Sequence, residues 1–490
     1  MTDHATDPGA GRVELPESDL FILHEAELTR RTAEGLLDFN KAYQQRNLTQ
    51  FLKMRYDWQE AYPGKTFPGI CAEVDSITGR MRPLDEQRAW SWGDGRGLGI
   101  WAAFLIKGRI ADGPRTLSLA SGTTRTVNMK AEYDAYCDWI YRSLVDRYEA
   151  CGARFPFLVD IDTNRPSDDP RNYMAGESEA TASDIFCLTA MYQYGMLRRE
   201  ARALEIGEAL LAKCTDAART GAYARPEYTA GHRFQGSPMI TVGALIDILK
   251  SVSVLEQKGV NDYADLEPTL IGHAREMIDY VLGHHYDPET HDFWEENDPD
   301  GKPWINEAGQ QICDPGHTAE ACGFFAELCS FLPETDEGAA FRWTRPQILD
   351  AILAMNDLVT RHGFSERGVM YKNIDLRTKR GVPDTSGGGA AHGRATAPWW
   401  NVREHCAASL RLYELTGDPR CLEGYRKSQN ASYLHYPNAN IGGLMVQTLD
   451  PDTLEPLDIH PATGNLDPMH SARAREREIE ALETILSRMA

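Results

Sequence analysis

The chain has 490 residues, 42% hydrophobic and 25% charged, and its 51 basic against 73 acidic side chains give a net charge of −22. That length is ample for a large core, as one big domain or two or three ordinary ones, and the acidic balance repels nucleic acid and anionic membrane. No run of 18 apolar residues occurs, so no transmembrane helix is expected.

From the start of the chain, residues 1–16 are polar and rich in Gly, Pro and Asp. They lack an apolar signal-peptide core and read as a frayed tail ahead of a single domain over 17–490. Beyond them, periodicity predicts about twelve helices, near 17–46, 93–110, 127–152, 180–198, 200–220, 238–258, 264–286, 317–332, 344–363, 397–416, 419–436 and 467–489. The cleanest is 264–286, where Leu270, Ile271, Ala274, Met277, Ile278, Val281 and Leu282 form a buried stripe.

Long connections precede several even-numbered helices and carry alternating runs about a turn. These are Ile70 to Met81 around Thr78-Gly79, Phe293 to Trp304 around Asp300-Gly301, Val369 to Val382 around Arg377-Thr378, and Leu444 to Leu457 around Asp450-Pro451. Each reads as a hairpin, and together they form a weak repeat. The layout predicted is an all-α toroid, an (α/α)6 barrel of six helical hairpins with β-hairpin inserts at its mouth. The even helices form the inner ring, all with their N-termini at that mouth. An open solenoid of helix pairs is the competing layout.

The ten cysteines (Cys71, Cys137, Cys151, Cys187, Cys214, Cys313, Cys322, Cys329, Cys406 and Cys421) stand singly, without a Cys-x-x-Cys pair. That spacing offers no zinc site and suits a reducing, cytoplasmic setting. The chemically suggestive residues instead open even helices. Arg96 opens the second. His317 and Glu320, in Asp314-Pro315-Gly316-His317-Thr318-Ala319-Glu320, open the eighth. Trp399 and Trp400 open the tenth, with Glu404 one turn on, and His470 and Arg473 open the twelfth. A His and a Glu three apart share one face of a first helical turn, beside the positive end of its dipole. Such a pair suits proton transfer, because imidazole titrates near neutrality and a carboxylate can orient it. In the toroid these groups meet in one pocket, where helix N-termini favour an anionic ligand or intermediate. Each also has a plainer reading: a helix cap for His317 and Glu320, an ion-pair role for Arg96, core aromatics for the tryptophans, a surface position for His470. His392, His405 and His460 read as loop or surface residues, and Asp184 as a solvated or capping carboxylate.

Pro315-Gly316-His317-x-x-Glu320 resembles the central motif of the N-acylglucosamine 2-epimerase superfamily. Trp399-Trp400-x-x-x-Glu404 is similar to its Trp-Trp-Pro-Gln-Ala-Glu motif, and Tyr413 to Asp418 to the helix ending that follows. Met469-His470-Ser471-Ala472-Arg473 is similar to its Phe-His-x-Pro-Arg, and Gly95-Arg96 to the Gly-Arg near its first inner helix. The resemblance covers roughly residues 40–485. It implies an (α/α)6 barrel that epimerises or isomerises a sugar, with no metal and no other cofactor, and by family habit a homodimer. His317 and His470 would be the acid/base pair, with Glu320 supporting His317. Arg96, Trp399, Trp400, Glu404 and Arg473 would bind the sugar.

The departures lie in helices and loops that shape the pocket. Several members carry an Asn and a His in the sixth helix, and Gly236 to Val242 has neither. A third histidine serving ring opening or proton shuttling is thus missing. A fourth-helix Tyr and a Trp before the last motif are replaced, and loops near 153–179, 294–316 and 376–398 are enlarged. Two other classes fit the toroid: a glycoside hydrolase or lyase using Glu320 or Glu404 with Asp184, and a non-catalytic carbohydrate-binding barrel.

Overall fold

The computed structural model describes residues 12–16, 20–67, 69–70, 73–176, 179–224, 231–335, 341–383, 393–457 and 467–489. Cys71, His392, His460 and residues 1–11 of the expected tail lie outside them. Among the described residues are twelve α-helices: α1 (Arg30–Ala61), α2 (Ser91–Lys107), α3 (Met129–Ala150), α4 (Ala182–Arg198), α5 (Ala201–Thr220), α6 (Gly236–Gln257), α7 (Leu266–His285), α8 (Pro315–Cys329), α9 (Arg345–His362), α10 (Trp399–Thr416), α11 (Pro419–His435) and α12 (Ala474–Arg488). A π-helical turn, Met469–Arg473, leads into α12.

The even helices close a ring. Each packs on the next from α2 to α12, and the π turn packs back on α2. Burial separates the two layers. In α8 every residue except His317 is buried, as an element enclosed on all sides requires. The outer helix α5 instead buries one stripe, Ala203, Ile206, Gly207, Leu210, Leu211 and Cys214. The all-α toroid predicted from the helix count is the observed fold. One helix, α6, is long and apolar enough to cross a membrane by composition, but 67% of its most apolar window is buried inside the ring.

Close approach within the ring depends on glycine. A Cβ on Gly95 would stand 2.8 Å from the backbone of Phe186 and Cys187, and one on Gly99 3.2 Å from Thr189 Cγ2, so α2 lies directly against α4. In α8, a Cβ on Gly316 would stand 2.5 Å from both Trp400 and Asn401 of α10. The Pro-Gly-His motif therefore includes a packing requirement: the tenth helix reaches the first turn of the eighth only where there is no side chain.

The mouth is stitched by short backbone pairings between the segments that precede successive inner helices. Ala89–Trp90 pairs with Leu158–Val159, Ala180 bridges Tyr223, Arg233–Phe234 pairs with Glu296–Asn297, Ile312–Cys313 with Ile374–Asp375, and Ala397–Pro398 with Thr448–Leu449. The circle closes where Asn438 Nδ2 donates to Ser76 O at 2.8 Å. This belt fixes all six inner N-termini at one end. The four hairpins read from the sequence lie at this mouth, with bridges Val74 to Met81, Asn297 to Pro303 and Leu449 to Pro456, and strand pairing of Asn373–Asp375 with Arg380–Val382.

Two expectations change. The first helix does not run over 17–46. Leu20 to Leu28 are not helical: Leu23 exchanges two hydrogen bonds with the Asn430 side chain, at 2.8 and 3.0 Å. The helix starts after Thr29, whose hydroxyl caps Thr32 N at 3.2 Å, and continues to Ala61, before Pro63-Gly64. The apolar run Leu20 to Leu23 packs as a strap instead of a helical face. The longest hairpin among the described residues, Pro114–Ser118 with Thr124–Asn128, precedes an odd helix, α3, and not an even one as the four expected hairpins do. Its Ser121-Gly122 turn, with Gly122 at φ +84°, is the signal that marks it.

Candidate active site

The four sequence clusters converge at the ring's mouth. Asp314 starts α8: its carboxylate accepts from Gly316 N at 2.8 Å and His317 N at 3.3 Å, with Pro315 at the first helical position. The same carboxylate lies 3.3 Å from His317 Nδ1 and forms an ion pair with Lys372. The closer partner of His317 Nδ1 is Glu295 Oε2, at 2.9 Å. Glu295 in turn accepts from Gln235 Nε2 at 2.9 Å. Burial opposes the imidazolium, but the Asp314 and Glu295 charges outweigh it and raise the His317 pKa. The two carboxylates thus favour the imidazolium of His317 through Nδ1, with Nε2 left for other partners.

The second imidazole is anchored differently. His470 Nδ1 meets Glu404 Oε1 at 2.7 Å, and its Nε2 lies 3.5 Å from Asp467 Oδ2. Asp467 is also the ion-pair partner of Arg96, whose guanidinium lies 4.0 Å from the centroid of Trp92 and 4.2 Å from that of Phe186. Arg473 completes the cluster. Its Nη2 is 3.7 Å from both Glu320 and Glu404, and its Nη1 is 3.3 Å from Asp247 of α6. The π turn that carries His470 and Arg473 is fully buried. Turns of this kind recur at functional sites, where they re-aim side chains.

Trp400 joins the two halves. Its indole centroid lies 5.5 Å from that of His317 and 5.1 Å from that of His470, and Lys372 Nζ is 4.8 Å from it. Trp399 differs: it is 2% exposed, and its Nε1 donates to Gln447 Oε1 at 3.2 Å. Of the pair, Trp400 faces both imidazoles and Trp399 is a core aromatic touching His470 edge-on at 6.3 Å.

Two sequence readings are corrected here, and a third, for Asp184, narrows to the capping one of its two alternatives. Glu320 was expected as the support of His317, but the charged groups within 4 Å of it are Arg473, at 3.7 Å, and His470, at 4.0 Å, since it lies one helical turn beyond His317 on α8. His405 was expected on a loop or the surface. It is fully buried in α10, bonded to Ser428 Oγ at 2.6 Å, and burial lowers its pKa to about 3. Asp184 is wholly buried too. It completes a capping box with Thr181 and pairs with Lys213 at 3.2 Å, so its role is the capping one.

Residues the sequence did not single out are Glu295, Lys372, Asp467 and Asp247. Asp314 and Asp467 sit beside prolines at helix starts, a legible capping signal. Glu295 and Lys372 come from mouth segments with no periodic register to the helices they serve.

This geometry defines an (α/α)6 barrel whose inner-helix N-termini surround a buried cluster of imidazoles, carboxylates and arginines. The family profile of N-acylglucosamine 2-epimerase (GlcNAc 2-epimerase) matches residues 254–466, which include His317, Glu320, Trp399, Trp400 and Glu404. The resemblance read from the sequence therefore stands. No curated protein matches the chain. Among solved structures, cellobiose 2-epimerase from Bacillus thermoamylovorans is similar over 90% of this chain and 99% of its own, with TM-score 0.63 and 14% identity. A D-mannose isomerase is similar over 90% and 97%, with TM-score 0.61 and 14% identity. Cellobiose 2-epimerase from Spirochaeta thermophila is similar over 90% and 98%, with TM-score 0.56 and 14% identity. At that identity the shared property is the barrel.

Proposed function

We propose that the protein is a sugar 2-epimerase or aldose–ketose isomerase that moves a proton at C2 through an enediolate. The observation that carries this is the pair His317 and His470 against one indole, Trp400, each imidazole fixed by a carboxylate on Nδ1. Nδ1 engagement leaves Nε2 of His317 open to a substrate, while Nε2 of His470 would exchange its 3.5 Å contact with Asp467 for one.

An open-chain aldose has an acidified hydrogen at C2, next to its C1 carbonyl. One imidazole takes that proton, the electron pair of the C2–H bond becomes the C1=C2 double bond, and the carbonyl π pair moves to O1. Return of a proton to C2 from the other face inverts the centre and gives the epimer. Return to C1, with loss of the O2 proton, gives the ketose. Arg473, Arg96 and the helix N-termini supply positive potential where the enediolate oxygens develop charge. Trp400 offers its indole to a sugar ring. The hydrolase reading needs a second, opposed carboxylate, and Asp184, its candidate, is committed to the cap of α4 and to Lys213.

The test is incubation with mannose, glucose, N-acetylmannosamine and cellobiose in D2O, following C2–H by NMR. The proposal requires C2 exchange in at least one sugar, abolished in His317→Ala and His470→Ala with the helical circular dichroism retained. New reducing ends without exchange mark a hydrolase, and neither change marks a binding protein.

A further inference from the structure

Glu320 is 3% exposed, and its Oε1 has no hydrogen-bond partner within the protein. The charged groups around it come from five elements, and most are committed elsewhere. On α8 itself, His317 is bound to Glu295. From α10, Glu404 holds His470 Nδ1 at 2.7 Å. On the π turn, His470 leaves Glu320 at 4.0 Å, and Arg473 stands 3.7 Å away while sharing its charge with Glu404 and with Asp247 of α6. From α2, Arg96 is spent on Asp467. One oxygen each of Glu320 and Glu404 and one nitrogen of His470 lie within 4.8 Å of one another.

Two buried carboxylates this close, with one imidazole bonded to one of them and a guanidinium divided three ways, are costly to ionise together. The proton settles on the carboxyl that has no donor. We propose that Glu320 stands as a neutral carboxylic acid at neutral pH, with Glu404 as the ionised partner of His470, and that Glu320 is the site's third proton donor. Burial first, then the Glu404 charge, raises the Glu320 pKa. Burial acts the same way on Glu404, but the His470 hydrogen bond and Arg473 overcome it and lower its pKa.

The use of that proton rests on the sugar-isomerase reading above. A pyranose must open before C2 becomes acidic. The C1–O5 bond breaks with its electron pair going to O5, Glu320 protonates O5, and the O1–H proton passes to an imidazole as C1=O forms. Glu320 is left ionised and the imidazole charged; that proton then passes from the imidazole back to Glu320, so an uncharged imidazole is available for the C2 step and ring closure runs the same transfers in reverse.

Infrared spectroscopy on the full-length protein tests the protonation without reference to activity. At pH 7 a protonated-carboxyl C=O band is expected that Glu320→Gln removes. Glu404→Gln takes away the neighbouring charge, so the same band should persist but titrate at least one pH unit lower. A band unchanged by Glu320→Gln, or a midpoint unmoved by Glu404→Gln, overturns the neutral-acid assignment. Kinetics test the role. Glu320→Gln should lower kcat on a cyclic aldose by roughly a hundredfold, the scale of one general acid, and by a clearly smaller factor on glyceraldehyde, which has no ring to open. Equal loss on both substrates overturns the ring-opening role while leaving the C2 chemistry standing. Wild-type protein that shows the band but no C2 exchange upholds the acid and refutes the isomerase reading.

Discussion

Replacing Glu295 by Gln isolates the support of His317. The substitution keeps the size and an acceptor oxygen but removes the charge 2.9 Å from Nδ1. A hydrogen bond to a charged group contributes about 1.5–3 kcal/mol and a neutral one about 0.5–1.5, so the loss is about 1–1.5 kcal/mol, or about one pKa unit. Asp314 stays 3.3 Å away, which prevents a full collapse, but its charge is divided among Lys372 and the caps of Gly316 and His317. The sign follows from the raised pKa of His317. Its pairing stabilises the fold fully below the unfolded pKa and is lost as pH rises through the higher folded one. Glu295→Gln should move that loss down by about one pH unit. Histidine NMR titration of wild type and variant reads it directly, and thermal unfolding from pH 6 to pH 9 reads the linked stability. An unmoved His317 titration would refute the assignment of Glu295 as its charged hydrogen-bond partner.

Three further outcomes follow from the packing. Asp314→Ala removes a cap worth about 1 kcal/mol together with the ion pair to Lys372; Asp314→Asn keeps the cap, so its melting temperature should fall less. Trp400→Ala should chiefly raise KM with the fold intact, whereas the core residue Trp399→Ala should cost about 3–5 kcal/mol in urea unfolding; a Trp400 variant altered only in kcat would contradict the stacking role. Gly95→Ala places a Cβ 2.8 Å from the α4 backbone, so despite alanine's better helix propensity it should destabilise by about 1–3 kcal/mol; equal or higher stability would show that α2 and α4 can separate.

Much of the site was legible because its residues carry local signals. Asp314-Pro315-Gly316 announces a helix start, and His317, Glu320, Trp400, Glu404, His470 and Arg473 fall within the first turns of inner helices. What failed was partnership. Glu320 looks like the companion of His317 along the chain, yet in the ring it stands nearer His470. Glu295 lies 22 residues before His317 and reaches it only because Ile312–Cys313 and Glu296–Asn297 are tied into the mouth belt.

The sequence by itself determined the number of helices, the place of all but the first, and four of the hairpins, since periodicity and turn chemistry act over a few residues. It did so even for α12, whose Arg475, Glu476, Arg477 and Glu478 have the composition of a solvated face. Only the tertiary structure decided that these charges are buried, because their partners arrive from other helices: Arg403 for Glu478, Asn40 for Arg475, Lys107 and Arg109 for Glu476, Asp247 for Arg477. An ion inside a protein is stable only where its counter-charge is, and that position is set by ring closure across hundreds of residues. The same closure sets which carboxylate faces which imidazole.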